Sequence, residues 1–397
     1  MARLATLPPL SVYVHIPWCV RKCPYCDFNS HALGENAGES AEQLGATEAE
    51  YARALVADLD SALPSVWGRS VQSIFFGGGT PSLFAPSTIE RLLAEVRARL
   101  RVAPDAEITL EANPGTFEAA KFRDFRAAGV NRLSVGIQSF NERHLRALGR
   151  IHDAADARKA IEIAQANFDN FNLDLMYALP GQTVAEARAD LAEAIATGAP
   201  HISAYHLTIE PNTWFAKFPP PLPDDETAAT IQETVEAALG EAGYEHYETS
   251  AYAQPGRACR HNVNYWRFGD YVGLGAGAHG KISFPDRIVR EVRARNPQEY
   301  LRRVAEGTQI VERREVADAD LIFEFMMNAL RLSAGFEIAL FTERTGLAIE
   351  AASPALAAAE EKGLIERDGG RIRPTERGRR FLNDLLELFL PEGAPAP

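Results

Sequence analysis

Six runs rich in β-branched and aromatic residues punctuate the first half of the chain. They are "SVYVHI" from Ser11, "SVQSIFF" from Ser70, "EITLEA" from Glu107, "RLSVGIQ" from Arg132, "NFNLDLMY" from Asn170 and "HISAYHLT" from His201. Between them lie segments with apolar residues at helical spacing, such as "EAEYARALVADLDSAL", "TIERLLAEVRARL" and "VAEARADLAEAIATG". Strands that alternate with amphipathic helices predict βα units and a parallel sheet. Right-handed crossovers would curl six such units into a partial (β/α)6 TIM-like barrel. Two further units, needed to close an eight-stranded barrel, are not evident. The run "FPPPLPDDET" from Phe218 breaks the pattern, and Asp224 or Asp225 is placed to cap the helix that follows. That helix ends near Gly243, which gives a barrel over residues 1–243.

Residues 244–310 read as a loop-rich extension carrying "HNVNYWRFGDYVGLGAGAHG". From 311 to 390 the pattern is helical, and the Gly369-Gly370 turn suggests a hairpin beside short helices, as in a winged helix. The tail 391–397, "PEGAPAP", is expected to be disordered. No internal repeat is evident beyond the βα alternation.

The chain has 397 residues, 46% of them hydrophobic, and a net charge of −13. An acidic balance argues against nucleic-acid binding, so the winged region reads as a packing module. No apolar run reaches membrane-spanning length, and prolines interrupt the short apolar stretch at the N-terminus. Three of the four cysteines are crowded into "CVRKCPYC". Neighbouring thiols of this kind read as a metal or redox site in a reducing compartment, with the cytoplasm as the default.

Cys19, Cys23 and Cys26 form a C-x3-C-x2-C loop with no fourth thiol beside it. Thiolates select zinc, copper(I) or iron–sulfur clusters. A closed zinc site needs a fourth ligand, for which His15, His31 and Cys259 are the candidates. A cubane on three thiolates instead leaves one iron open to a small molecule. Ligands of a βα barrel bind at the carboxyl ends of its strands. Those ends carry the cysteine loop, "GGGTPS", Glu111, Gln138 and Asp174, with Arg150 shortly after the fourth strand. The glycine run 273–280 lacks the βαβ setting of a dinucleotide loop.

"YVHIPWCVRKCPYC", "FFGGGTPS", "LEANP", "SVGIQSF" and "LDLMYALPGQT" resemble the radical S-adenosylmethionine enzymes, over nearly the whole chain. Within them they are similar to the branch of the oxygen-independent coproporphyrinogen III dehydrogenases. The resemblance implies a radical-SAM-type α/β barrel, a [4Fe–4S] cluster on Cys19, Cys23 and Cys26, and S-adenosyl-L-methionine on the open iron. It further implies that Tyr13 flanks the bound molecule, and that Gly78, Gly79 and Thr80 receive its methionyl part through their backbone. Glu111, Gln138, Arg150 and Asp174 would contact its polar groups, and Tyr25 would offer a face to the adenine. The porphyrinogen-oxidising enzymes carry a further cysteine two places after the third, where this chain has Phe28. "CDFNSH" and "HNVNYW" instead resemble the HemW-type haem chaperones, which pass haem to respiratory proteins. That likeness implies haem as a ligand, with His261, Asn262, Tyr265 and Trp266 at its site. Cys259, His206 and His279 are rival ligands. Catalytic residues, a peripheral membrane contact, and the choice between a monomer and a cluster-dependent dimer stay open.

Overall fold

The computed structural model describes residues 4–33, 41–115 and 119–391. The six expected strands form: β1 (Leu10–Ile16), β2 (Ser70–Gly78), β3 (Arg101–Ala112), β4 (Arg132–Gln138), β5 (Phe171–Tyr177) and β6 (His201–His206). They pair in parallel, in chain order. The intervening helices include α1 (Ala41–Val66), α2 (Pro86–Arg99), α3 (Ala154–Asn167) and α4 (Val184–Ala196). Asp153 and Thr183 begin α3 and α4 with reciprocal capping boxes. Asp224 caps α5 (Asp225–Glu241) by accepting from the Thr227 N–H at 2.8 Å.

Successive strand residues face opposite sides of the sheet. One side carries Val12, Val14, Ile74, Phe76, Ile108, Leu110, Leu133, Val135, Leu173, Leu175 and Ile202, all buried in one core with apolar residues of α2, α3, α4 and α5. The other side carries Ser11, Tyr13, Ser73, Glu107, Thr109, Glu111, Ser134, Asn172, Asp174 and Ser203. The greasy layer therefore lies between sheet and helices, and the concave lumen is polar. Its groups bond to one another: Ser11 to Ser73 at 2.7 Å, and Asn172 to Ser134 and Asp174 at 2.8 and 2.7 Å.

The segment 244–310 corrects the expectation of a loop-rich extension. It forms β7 (Glu245–Glu248), β8 (Ala251–Ala253), helix α6 (Arg260–Trp266), β9 (Asp270–Leu274), β10 (His279–Ser283) and β11 (Ile288–Arg293). With β12 (Ile310–Glu315) these widen the sheet to twelve strands, in the order β12-β11-β10-β9-β1-β2-β3-β4-β5-β6-β8-β7. β9 runs parallel to β1, and β8 antiparallel to β6. The sheet stays open, as six units require. The C-terminal region has its own core around Leu321, Phe325, Phe336 and Phe341. It opens with α7 (Asp318–Ala329), carries a three-stranded sheet whose hairpin turns at Gly369 and Gly370, both at positive φ, and closes with two short helices, Glu376–Arg380 and Leu382–Glu387. The expected disorder of the tail concerns residues that, past Pro391, lie outside the described ones. No helix among the described residues is long and apolar enough to cross a membrane.

Strand β9 is tied down by charge. Asp270 is fully buried, accepts from Lys281 at 2.8 Å and from the Ser283 N–H at 2.9 Å, and is ion-paired with Arg69 at 2.8 Å. Removing one partner of a buried ion pair strands the other charge. Lys281→Met is therefore expected to destabilise the fold by about 3 kcal/mol, seen as a lower denaturation midpoint; an unchanged midpoint would contradict this role for the pair.

Candidate functional site

Strand β1 runs directly into the cysteine loop. The loop is closed by a short parallel pairing of Trp18–Cys19 with His31–Ala32. Lys22 braces it from within, donating to the carbonyls of Phe28 and Ser30 at 3.1 and 3.2 Å. Cys19, Cys23 and Cys26 are half-buried free thiols. Among the described residues, only Glu107, Cys259 and His261 bring three donor atoms within 4.8 Å of one another, so the loop thiols are set wider than that. Thiolates sharing one tetrahedral zinc at ~2.3 Å would stand closer. The wider spacing fits a multi-iron cluster. Burial pushes the Cys19 thiol up to about 11, opposed by the Thr80 hydroxyl, and burial raises Cys26 against the Ser30 hydroxyl.

Two of the three candidate fourth ligands for zinc are engaged elsewhere, while His31, paired with Trp18 where the loop closes, keeps a buried Nε2 without a hydrogen-bond partner. His15 spends both ring nitrogens, on the Tyr13 hydroxyl at 2.7 Å and the Asn29 carbonyl at 2.9 Å. Cys259 lies beside Glu107 and His261, away from the loop.

The glycines after β2 are required by close packing. A Cβ on Gly78, at φ 114°, would sit 2.5 Å from the His15 ring, and one on Gly79 2.5 Å from the Trp18 carbonyl oxygen. The backbone contacts expected to reach a ligand are used within the protein: Gly78 N–H donates to Glu111 at 3.1 Å, Gly79 N–H to Ile16 at 2.8 Å and Thr80 N–H to Trp18 at 2.7 Å. These residues lock the cysteine loop onto the strand end, and the Thr80 carbonyl and hydroxyl are engaged as well, by the Leu83 N–H at 3.0 Å and by Asn113 at 2.9 Å.

The other expected side chains gather at the same end. Tyr13 lines the lumen with its ring 5.5 Å from that of Phe75. Glu111 and Asp174 face one another across it. Burial, then the Asp174 charge, pushes the Glu111 carboxyl up to about 8. Burial also raises Asp174, against hydrogen bonds from Ser134 and Asn172. Gln138 sits at φ 61°, and its buried side-chain oxygen has no hydrogen-bond partner. Arg150 donates to Cys23 Sγ at 3.6 Å, Asn113 Oδ1 at 2.6 Å and the Gly136 carbonyl at 2.9 Å, while its Nε lacks a partner. Buried polar atoms without partners are rare, and here two converge on one mouth. Tyr25 packs in a small apolar cluster with Leu148 and Phe215 rather than standing free as a stacking face. Sequence reading missed Asn113, although "LEANP" contains it, because a short polar residue after a strand looks like a turn former.

The "HNVNYW" helix enters the lumen from the opposite end. His261 stacks on Phe75 with ring centres 4.2 Å apart, and its Nδ1 lies 3.0 Å from Glu107. Glu107 also accepts the N–H groups of Arg260 and His261, capping α6. Asn264 donates to Ser11 Oγ at 2.8 Å. Tyr265 packs edge-on to Tyr271, Trp266 lies under the Arg331 guanidinium, and Asn262 lies beside Tyr247. These residues form a floor, not the open haem face expected of them. His261 is 4% exposed, and burial lowers its pKa against the pull of Glu107. Iron could reach that imidazole only if α6 left the lumen. His206 and His279 are exposed, and His206 packs edge-on against Tyr177.

An open parallel half-barrel with a three-thiol loop and polar groups at its strand ends defines a radical S-adenosylmethionine protein. The profile of the Radical SAM superfamily matches residues 13–194, and that of the HemN C-terminal domain matches residues 316–381. The solved structure of coproporphyrinogen III oxidase (HemN) from Escherichia coli shares the fold, with a TM-score of 0.80 at 24% identity over 96% of this chain and 90% of that one. The chain is 49% identical to the heme chaperone HemW of Escherichia coli K12, over 98% of this chain and 100% of the relative. It is 47% identical to the heme chaperone HemW of Haemophilus influenzae, over 97% and 99%. The chain belongs to the HemW family within the radical SAM superfamily. That family implies a [4Fe–4S] cluster and S-adenosylmethionine, and the wide-set thiols and orphaned mouth atoms fit them.

Glu111 gives the mouth a pH signature. Its folded pKa, about 8, exceeds its ordinary value of 4.5, so between these the folded chain keeps a proton that the unfolded chain has lost. Stability of the cluster-free protein should fall as pH rises through that window, and Glu111→Gln should lessen the slope. Parallel denaturation curves from pH 5 to 8 check this; equal slopes would refute the assignment.

Proposed function

We propose that the protein binds haem and hands it to haem-dependent respiratory proteins, on a scaffold holding a [4Fe–4S] cluster and S-adenosylmethionine. The observation that carries this reading is the full-length identity to heme chaperones of the HemW family. Phe28 supports it: it is 62% exposed, at the place where porphyrinogen-oxidising enzymes have a further cysteine. Cys19, Cys23 and Cys26 would hold the cluster. Gln138, Arg150, Glu111 and Asp174 would hold the polar parts of S-adenosylmethionine, with Tyr13 beside it. Arg150 and the Gln138 amide suit a carboxylate and an amine, and Glu111 and Asp174 can accept from ribose hydroxyls. When bound, the cluster supplies single-electron chemistry to the sulfonium. The chain's own part is to orient that molecule and to seal the lumen from below with α6.

Anaerobically purified protein is expected to carry about four irons and four sulfides per chain, as a cubane requires. It should take up haem stoichiometrically, read from its absorption spectrum, and leave coproporphyrinogen III unconverted. Cys19→Ala should lose the iron. Full decarboxylation of coproporphyrinogen III without haem uptake would move the protein to the dehydrogenases, and one zinc in a colourless protein would exclude both. Because His261 is part of the floor, His261→Ala is expected to lower stability and leave the Soret band of bound haem in place. A shifted band would return His261 to the role of axial ligand.

A further inference from the structure

Two of the three loop thiols are joined by a chain of hydrogen bonds from the connections that follow three separate strands. Arg150 donates to Cys23 Sγ at 3.6 Å and to Asn113 Oδ1 at 2.6 Å. Asn113 donates through Nδ2 to Thr80 Oγ1 at 2.9 Å, and Thr80 donates to Cys19 Sγ at 3.5 Å.

The direction of this chain is dictated by chemistry. A guanidinium has donors only, so Asn113 must present its oxygen to Arg150 and its amide nitrogen to Thr80. A hydroxyl has one proton. The amide nitrogen donates to one of the hydroxyl's two lone pairs and cannot accept its proton, which is left for Cys19. Arg150 thereby fixes the hydroxyl of a residue on another strand and also reaches the second thiol itself. The third thiol, Cys26, has a separate neighbour, the Ser30 hydroxyl at 3.7 Å.

We propose that Asn113 and Thr80 are positioning residues that set the reduction potential of the cluster by holding a donor on Cys19. The inference rests on the cluster reading above. Hydrogen bonds to cluster sulfurs stabilise the reduced, more negative state and raise the potential. Without the Thr80 proton the potential falls. Asn113→Asp acts in the same direction by a different route. An aspartate keeps the acceptor for Arg150, offers Thr80 no donor, and draws the Thr80 proton to itself and away from sulfur. It also adds a negative charge near the cluster.

The test is a potentiometric titration followed by electron paramagnetic resonance, on full-length protein with its cluster and without S-adenosylmethionine. Thr80→Val and Asn113→Asp are each expected to reduce the equilibrium constant for cluster reduction about tenfold, ~59 mV for one electron. Thr80→Ser, which keeps the hydroxyl, should match the parent chain. Equal potentials in all four proteins at equal iron content would overturn the proposal. So would loss of the cluster from both Thr80→Val and Asn113→Asp, which would make the chain a loop brace only. A parent chain with no cluster signal would instead sink the cofactor reading itself.

Discussion

The polarity of the sheet is the constraint on which the rest of the molecule depends. Most of its apolar side chains face the helices, Phe75 being a lumen exception, so its concave side must find partners for Ser11, Glu107, Thr109, Arg132, Asn172 and Asp174. A buried polar group without a partner costs about as much as a good hydrogen bond is worth, and more if charged. In a closed barrel, layers of apolar side chains would fill the interior. Here the lumen is instead wired with hydrogen bonds and closed below by a short helix from later in the chain.

That helix reaches three strands at once. Glu107 caps it, Ser11 accepts from Asn264, and Phe75 receives the His261 ring. The widened sheet makes the approach possible, because β9 pairs with β1 and returns the chain to the lumen's edge. The charged knot at Asp270 then fixes β9, with Arg69 coming from just before β2. Trp266 carries the linkage outward. Arg331 stacks on its indole and reaches Glu248 at 3.5 Å, so the floor, the sheet edge and the C-terminal region share one contact.

The opposite end of the lumen follows a different logic. There, partners are incomplete. Gln138 and Arg150 keep buried atoms unbonded, burial raises the proton affinity of both Glu111 and Asp174, and the Asp174 charge raises that of Glu111 further. At the floor Arg132 Nε and Trp266 Nε1 also lack partners, and the unpaired buried atoms beside the cysteine loop can bond a ligand. The cysteine loop completes this end, held to β2 by glycines that no other residue can replace without a clash.

Strand runs, helix caps and the cysteine spacing were legible in the sequence because each depends on neighbours a few residues away. Period-two runs gave β1 to β6, and Asp224 declared its helix. The spacing of the three thiols narrowed the chemistry to zinc, copper(I) or an iron–sulfur cluster, and the resemblance of the surrounding motifs supplied the radical S-adenosylmethionine class. The lumen was not legible. Alternation within a strand says which residues share a face, but not whether that face meets helices or a cavity. Strands of three to five residues such as β8 to β10, the latter two interrupted by glycine, carry too little pattern to be seen alone and form because a neighbouring edge stabilises them. The same holds for His261 and Asn113. Their chemistry was visible as composition, but only the packing of distant segments decided that one imidazole would be buried under Glu107 and that one amide would stand between an arginine and a threonine. Burial and partner choice are properties of the assembled surface, set by contacts 33 to 253 residues apart in the chain.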